Sequence, residues 1–270
     1  MNENDGQLVI VDRSDPAIAI VTLNNPDKLN GLTPPLTYQL IDELDRLAAD
    51  PQCRCIVLTG AGRGFCAGGD LDAVRKILGP DTPLAGGFEA VVRTRGLVAR
   101  IVSMPQPVIA AVNGPAAGGG FAVAVACDVR IAAEPAKFNA AFVRIGMSGT
   151  EMGLSYLLPR IIGFGNAFEM CLTGRLVDAQ EALQMGLVKQ VVPVEALLPS
   201  AMDLARSIVR NSPIGVRMTK EVMWANLSAG SLPQAIELEA RTQLLCTRTD
   251  DFAEALDAFR ERREPVFHNS

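Results

Sequence analysis

Histidine is nearly missing from this chain. Its 270 residues contain one, His268, third from the end on what reads as a loose tail. That scarcity removes Ser-His-Asp and Cys-His catalysis, His-ligated zinc, and any imidazole base held in a rigid cleft. A Gly-x-Ser-x-Gly elbow is missing too, since Ser148 in Gly146-Met-Ser-Gly149 falls one residue short of the pattern. The six cysteines (Cys53, Cys55, Cys66, Cys127, Cys171, Cys246) include no Cys-x-x-Cys pair, which argues against a zinc ribbon and a disulfide framework. They read as reduced, buried thiols of a cytoplasmic protein. No apolar run reaches the roughly 18 uncharged residues a membrane span needs. The polar start Met1-Asn2-Glu3-Asn4-Asp5 is not a secretory signal. Lys plus Arg is 25 against 30 Asp plus Glu, a net charge of −5, and no basic block occurs, which argues against nucleic acid as a partner. Chemistry must therefore come from carboxylates, hydroxyls or the backbone.

What is present is an ordinary globular composition, 49% hydrophobic, long enough for one large core with an appendage. Leu8–Val11 and Ala17–Leu23 are short apolar runs split by Asp12-Arg-Ser-Asp-Pro16, which predicts a hairpin. Thr33 caps a helix with Pro34 and Pro35 in its first turn and Leu36, Leu40, Ile41, Leu44 and Leu47 on one face. Cys55–Thr59 and Pro107–Val112 read as buried strands, each running into a glycine-rich loop and then a helix. Strand, glycine loop and helix thus occur twice, and the expected class is α/β with a coil of β-β-α turns. Further helices are expected at Phe88–Ser103, Phe121–Ala126 and Met152–Ile162. The stretch 79–87, rich in Gly and Pro, is expected to be a substrate-gating loop. Residues 1–195 are assigned to the coil. Residues 196–270, with amphipathic helices near Leu197–Asn211, Ile214–Ser228, Pro233–Cys246 and Phe252–Arg263, form a helical region that must pack on the coil or on another subunit.

The two glycine loops carry the chemistry. In Gly60-Ala-Gly-Arg-Gly-Phe-Cys-Ala-Gly-Gly-Asp70 and Asn113-Gly-Pro-Ala-Ala-Gly-Gly-Gly120, a strand delivers the chain to a turn just before a helix. Backbone N–H groups there are unpaired, the helix dipole favours negative charge, and glycine lets a ligand approach closely. Two such amides meeting at one oxygen would make an oxyanion hole, each donor lowering a barrier by roughly 3–4 kcal/mol. Two tight turns in a compact fold is the plainer reading of the same residues. Neither loop has the spacing of a phosphate loop.

At these residues the chain resembles the enoyl-CoA hydratase/isomerase (crotonase) superfamily over nearly its whole length. The matching stretches are Asn25-Pro-Asp-Lys-Leu-Asn-Gly-Leu32, Gly64-Phe-Cys-Ala-Gly-Gly-Asp-Leu71, Pro107-Val-Ile-Ala-Ala-Val-Asn-Gly114, Gly118-Gly-Gly120, Cys127-Asp128 and Phe259-Arg-Glu-Arg-Arg-Glu-Pro-Val-Phe267. The resemblance implies a ββα spiral, a C-terminal helical trimerisation region (a homotrimer or dimer of trimers), and an acyl-coenzyme A thioester as substrate with no permanently bound cofactor and no metal. It implies Gly69 and Gly119 as oxyanion donors. Lys28, Leu29, Ala67, Asp70 and Leu71 would line the coenzyme A site, and Arg262 would approach the coenzyme A phosphates, of its own or a neighbouring subunit.

The departures are as informative. Hydratases of this superfamily carry two glutamates, and the matching positions hold Ala122 and Phe142. Neither residue moves a proton, and positioned acid–base groups are worth about 10²–10⁴ in rate. Glu151, in Ser148-Gly-Thr-Glu-Met-Gly153, aligns with a loop from which some members supply a catalytic carboxylate. It reads equally as a dipole-stabilising neighbour of a helix start. Asp128 reads as structural, Asp70 and Asp72 as caps, Cys66 as packing, and Tyr156 as core or a pocket hydroxyl. The sequence is thus expected to specify an acyl-CoA isomerase or an atypical hydratase working through Glu151. A non-catalytic acyl-CoA binder is the alternative, and an acyl-CoA hydrolase the weaker one.

Overall fold

The computed structural model describes residues 6–78 and 83–268. In chain order the elements are β1 (Val9–Asp15), β2 (Ile18–Leu23), α1 (Pro34–Ala49), β3 (Cys55–Gly60), α2 (Leu71–Leu78), α3 (Leu84–Ser103), β4 (Val108–Val112), β5 (Ala116–Ala117) and α4 (Gly119–Ala126). There follow β6 (Val129–Ala133), β7 (Lys137–Asn139), α5 (Leu154–Ile162), α6 (Phe164–Thr173), β8 (Val177–Asp178), α7 (Ala179–Gln184) and β9 (Gln190–Val192). Four helices close the chain: α8 (Leu197–Val209), α9 (Pro213–Asn226), α10 (Leu232–Cys246) and α11 (Asp250–Glu261).

A six-stranded sheet runs β1-β2-β3-β4-β6-β9 and a three-stranded sheet runs β5-β7-β8. In the large sheet only β1–β2 is antiparallel; every later neighbour is parallel. The parallel strands β2, β3, β4 and β6 also hand the chain to a short extended stub. Leu32 bridges Gly69, Cys66 bridges Ala116, and β5 pairs with β7. One strand, one stub and one helix per turn is the β-β-α coil.

Alternation along the strands divides the core. Ala19, Val21, Ile56, Leu58, Val108, Ala110 and Ala132 face α1, α3 and α4, whereas Ile18, Cys55, Val57, Ile109, Ala111, Ile131 and Ala133 face the other side. That second face is covered by α8 through Leu197, Ala201 and Ala205, whose small side chains let the helix lie close. Beyond α8, Lys220 of α9 anchors the region: its buried ammonium meets Asp128 Oδ2 at 2.8 Å and donates to the Ile101 and Gln106 carbonyls, both at 2.9 Å. Trp224 Nε1 donates to the other Asp128 oxygen at 2.9 Å, and the Val108 N–H to Oδ2 at 2.7 Å. Asp128 is thus structural. By contrast α10 buries none of its residues.

Several boundaries differ from expectation. β1 continues through Asp12 to Asp15, an edge strand whose register shifts between those two residues and whose Asp12 and Ser14 face solvent. α3 is helical from Leu84, so the expected loop at 79–87 falls partly in that helix, while 79–82 lie outside the described residues. α5 starts at Leu154 rather than Met152, because Met152 and Gly153 both have left-handed backbone (φ 51° and 84°). The C-terminal tail is tied rather than loose. Arg263 forks onto Glu254, whose Oε1 also accepts the Val266 N–H at 2.8 Å, and the His268 N–H donates to Asp251 Oδ1 at 2.8 Å. Among the described residues no helix is long and apolar enough to cross a membrane.

Candidate active site

Parallel strands β2, β3 and β4 all release the chain at the same end of the sheet, where α/β folds place their ligand clefts. Two asparagines staple the released loops. Asn30, fully buried, donates from Nδ2 to the Ala61 and Gly64 carbonyls (2.9 and 2.8 Å) and accepts the Asn25 N–H at 2.8 Å. Asn113 donates to the Gly62 carbonyl at 2.9 Å and accepts from the Gly60 N–H at 3.2 Å. Their amide side chains satisfy carbonyls that the turns would otherwise leave buried and unpaired. Both asparagines stand in Asn-Gly steps, Asn30-Gly31 and Asn113-Gly114, which mark turns in sequence but not the carbonyls that the side chains bind.

The stapled loops touch. Gly68 has φ 87°, and a Cβ placed there would lie 2.6 Å from the Ala117 carbonyl oxygen and 3.0 Å from the Gly119 nitrogen. The first and second glycine loops therefore meet backbone to backbone at Gly68 and Gly119. Both Gly69 and Gly119 border one cavity of about 280 Å³. Gly119 opens α4, so its N–H has no intrahelical acceptor, and among the described residues no carbonyl engages the Gly69 N–H. Every residue of α4 is buried. At its far end Arg130, itself buried, donates to the Ala124, Val125 and Cys127 carbonyls. The helix axis thus points its positive end at the cavity with a cation closing the negative end.

Apolar side chains form most of the cavity wall: Leu32 and Pro34 on one side, Val74 and Ile77 of α2 on another, Phe142, Ile145, Met147 and Met152 opposite. Leu32 Cδ1 and Met152 Sδ flank Gly119 closely, 3.0 and 3.2 Å from where its Cβ would be. They shield that amide from water and strengthen any charge–dipole contact made there. Phe142 is a wall residue, whereas Ala122 is fully buried in α4 and does not reach the cavity.

Two carboxylates border this space. Asp70 caps α2, accepting the Ala73 N–H at 2.9 Å, and pairs with Lys28 at 3.3 Å; these donors hold its carboxyl below the usual aspartate range. Glu151 is the other, half-buried on the segment leading into α5. That segment is pressed against α6, for a Cβ on Gly149 would fall 1.9 Å from the Cys171 carbonyl oxygen. Gly153 is the N-cap of α5, and Glu151 precedes it by two residues, at the positive end of that helix, where a carboxylate is also favoured.

The other expected site residues divide cleanly. Ala67, Asp70 and Leu71 line the cavity, with Leu71 59% exposed at its mouth. Lys28 and Leu29 join the same rim through the Lys28–Asp70 pair and a 2.9 Å bond from the Ala67 N–H to the Leu29 carbonyl. Arg262 is not brought there. Its left-handed backbone (φ 55°) ends α11, and it borders no cavity among those described. Tyr156 is on the outer surface of α5, bonded to Ser228 Oγ at 2.5 Å with Arg160 over its ring, and belongs to neither core nor pocket. Burial pushes the Cys66 thiol up to about 12, which fits an inert packing role. Met147, Met152 and Ile145 are wall residues that no spacing rule singled out.

Comparisons with known proteins agree with this architecture. Residues 13–270 match the family model described as Enoyl-CoA hydratase/isomerase. A protein of Mycobacterium leprae described as "Probable enoyl-CoA hydratase" is 40% identical over 266 residues, covering 96% of this chain and 89% of that one. The 1,2-epoxyphenylacetyl-CoA isomerase of Escherichia coli is 36% identical over 259 residues, 96% of this chain and 97% of that one. A crystal structure of an enoyl-CoA hydratase from Bacillus anthracis superposes with TM-score 0.92 at 35% identity, covering 98% of this chain and 100% of the other. A ββα coil, two glycine loops meeting at one apolar cavity and full-length matches of this strength converge on one assignment: the chain belongs to the enoyl-CoA hydratase/isomerase family.

Proposed function

We propose that this acyl-CoA enzyme shifts the double bond of a 3-enoyl-coenzyme A thioester to the 2-position, with Gly69 and Gly119 holding the thioester oxygen and Glu151 carrying the proton. The observation that carries this reading is the choice of carboxylates at the cavity. Among the described residues that line the cavity, Asp70 caps α2 and pairs with Lys28 at the rim. Phe142 stands at one hydratase glutamate position and Ala122, at the other, lies outside the wall, while Glu151 is in the wall together with Gly69 and Gly119.

The chemistry follows from that inventory. In a 3-enoyl thioester the C2 proton is acidified by the carbonyl and the vinyl group together. Glu151 removes it, and the electron pair flows into the carbonyl to give a dienolate. Its oxygen is held by the two N–H groups, each lowering the barrier by roughly 3–4 kcal/mol. The protonated Glu151 returns the proton to C4, and the double bond now lies between C2 and C3. One acid suffices for this 1,3-transfer. Water addition by the two-glutamate route needs carboxylates at both hydratase positions, and here those positions hold Ala122 and Phe142.

Lys28, Leu29, Ala67, Asp70 and Leu71 form the rim that would receive coenzyme A, with no permanently bound cofactor required. Arg262 would reach it only from a neighbouring subunit. The exposed Leu232, Ile236, Leu244 and Leu245 of α10 and Phe259 of α11 offer an apolar face for such self-association, as a trimer or dimer of trimers, which sedimentation equilibrium would count. The six unpaired thiols fit a reducing, cytoplasmic setting.

The test is Glu151→Gln assayed against 3-enoyl- and 2-enoyl-CoA. Isomerisation should fall about 10²–10⁴-fold with thioester binding retained. An unchanged rate would refute the role of Glu151, and Glu151-dependent hydration of 2-enoyl-CoA without isomerisation would replace this reading with an atypical hydratase.

A further inference from the structure

Glu151 and Met152 border a second cavity besides the one shared by the glycine loops. It lies between α3 and the start of α5, its other walls being Val98, Ala99, Thr150, Gly153 and Ser155. Ala99, Thr150, Gly153 and Ser155 are exposed, so this space opens to solvent. Met152 is buried and left-handed, a backbone geometry that costs a non-glycine residue free energy, and its sulfur packs over Gly119. Glu151 and Met152 therefore form a partition one residue thick, with the apolar cavity that would hold the acyl chain on one side and a solvent-facing cavity on the other.

Resting on the isomerase reading above, we propose that Glu151 exchanges its proton with solvent through this second cavity while the dienolate is held in the first. The proton taken from C2 then need not be the one delivered to C4. In D2O the step balances as follows. Glu151 removes a proton from C2 and becomes the neutral acid. Its O–H exchanges with D2O, releasing HOD, and the resulting O–D delivers deuterium to C4 as the carboxylate is regenerated. Without the second opening, the dienolate and the apolar wall would seal the acid from water, and the transfer would remain internal.

The experiment is single-turnover isomerisation of a 3-enoyl-CoA in D2O by the full-length protein, with deuterium at C4 read by mass spectrometry and NMR. The same measurement is made on Ala99→Phe and Ser155→Phe, which fill the second cavity from opposite walls at exposed positions. Most product of the parent protein should carry deuterium. Each filled variant should lower that fraction several-fold while its turnover in H2O stays within about twofold, as surface substitutions allow. Deuterium-free parent product, or incorporation unmoved by either variant that folds and turns over, overturns the inference while leaving isomerisation standing. An absence of isomerisation in the parent removes the functional reading itself, and this inference with it.

Discussion

Substituting Gly68 by alanine forces the two glycine loops apart while leaving the Gly69 and Gly119 residues themselves unchanged. The new methyl carbon would lie 2.6 Å from the Ala117 carbonyl oxygen and 3.0 Å from the Gly119 nitrogen, both rigid backbone atoms, so the loops must move apart. Two penalties follow. Gly68 has φ 87°, and a left-handed alanine is disfavoured by roughly 1–2 kcal/mol. At about 2–4 °C per kcal/mol for a chain of this size, that predicts a fall in Tm of several degrees. The catalytic penalty is larger. Displacing Gly119 by a fraction of an ångström takes one donor off the thioester oxygen, worth about 10²–10³ in kcat. Thermal melting separates the first effect, and steady-state kinetics at a temperature well below the melt isolates the second. The control is Gly119→Ala, whose methyl would crowd Leu32 Cδ1 and Met152 Sδ, side-chain ends able to give way, would meet Gly68 Cα only at an ordinary 3.8 Å, and whose N–H survives. It should be the milder of the two. A Gly68→Ala protein that melts lower yet keeps the parental kcat would refute the reasoning, since the contact between loops would then be structural only.

Two further outcomes concern stability. Lys220→Met leaves Asp128 short of its cation inside a partly buried cluster, where breaking such pairs costs about 3–5 kcal/mol; urea unfolding should show it, with partial recovery in the Lys220→Met, Asp128→Asn double variant. Glu254 is held down to about 2 by Arg263 and the Val266 N–H, so its contribution to tail docking is complete above the ordinary glutamate range and is lost as the pH falls towards 2. Hydrogen exchange at Val266 and His268 should therefore quicken on acidification in the parent and change far less in Glu254→Gln. Equal acid sensitivity in both proteins would remove Glu254 from the account.

Much of this fold is legible in residue order because local preference and burial agree there. Thr33 followed by two prolines and a leucine stripe gives α1 its cap and its buried face, and the apolar run at Cys55 can only be a strand buried on both sides. The glycine loops are legible because their residue type is itself the signal. Legibility fails where a conformation is imposed from a distance. Nothing in the letter Met announces a left-handed backbone at 152; the press of Gly149 against Cys171 and the packing of Met152 over Gly119 impose it. Asn30 likewise looks like one polar residue in a turn, and its part as a staple appears only once Ala61 and Gly64 are folded onto it. Arg262 matches a motif, yet within this chain it ends α11 and is not among the residues of the cavity wall, so its part cannot be read from one copy's residue order.

The enclosure of α4 decides how this protein should respond to its medium. Mobile ions cannot enter the packed shell around that element, so the field along its axis is set by covalent structure and by Arg130, beyond the reach of a Debye atmosphere. Added electrolyte should accordingly weaken capture of a polyanionic substrate at the Lys28 rim while leaving the rate of the bound complex nearly unmoved, so that ionic strength tunes KM and spares kcat.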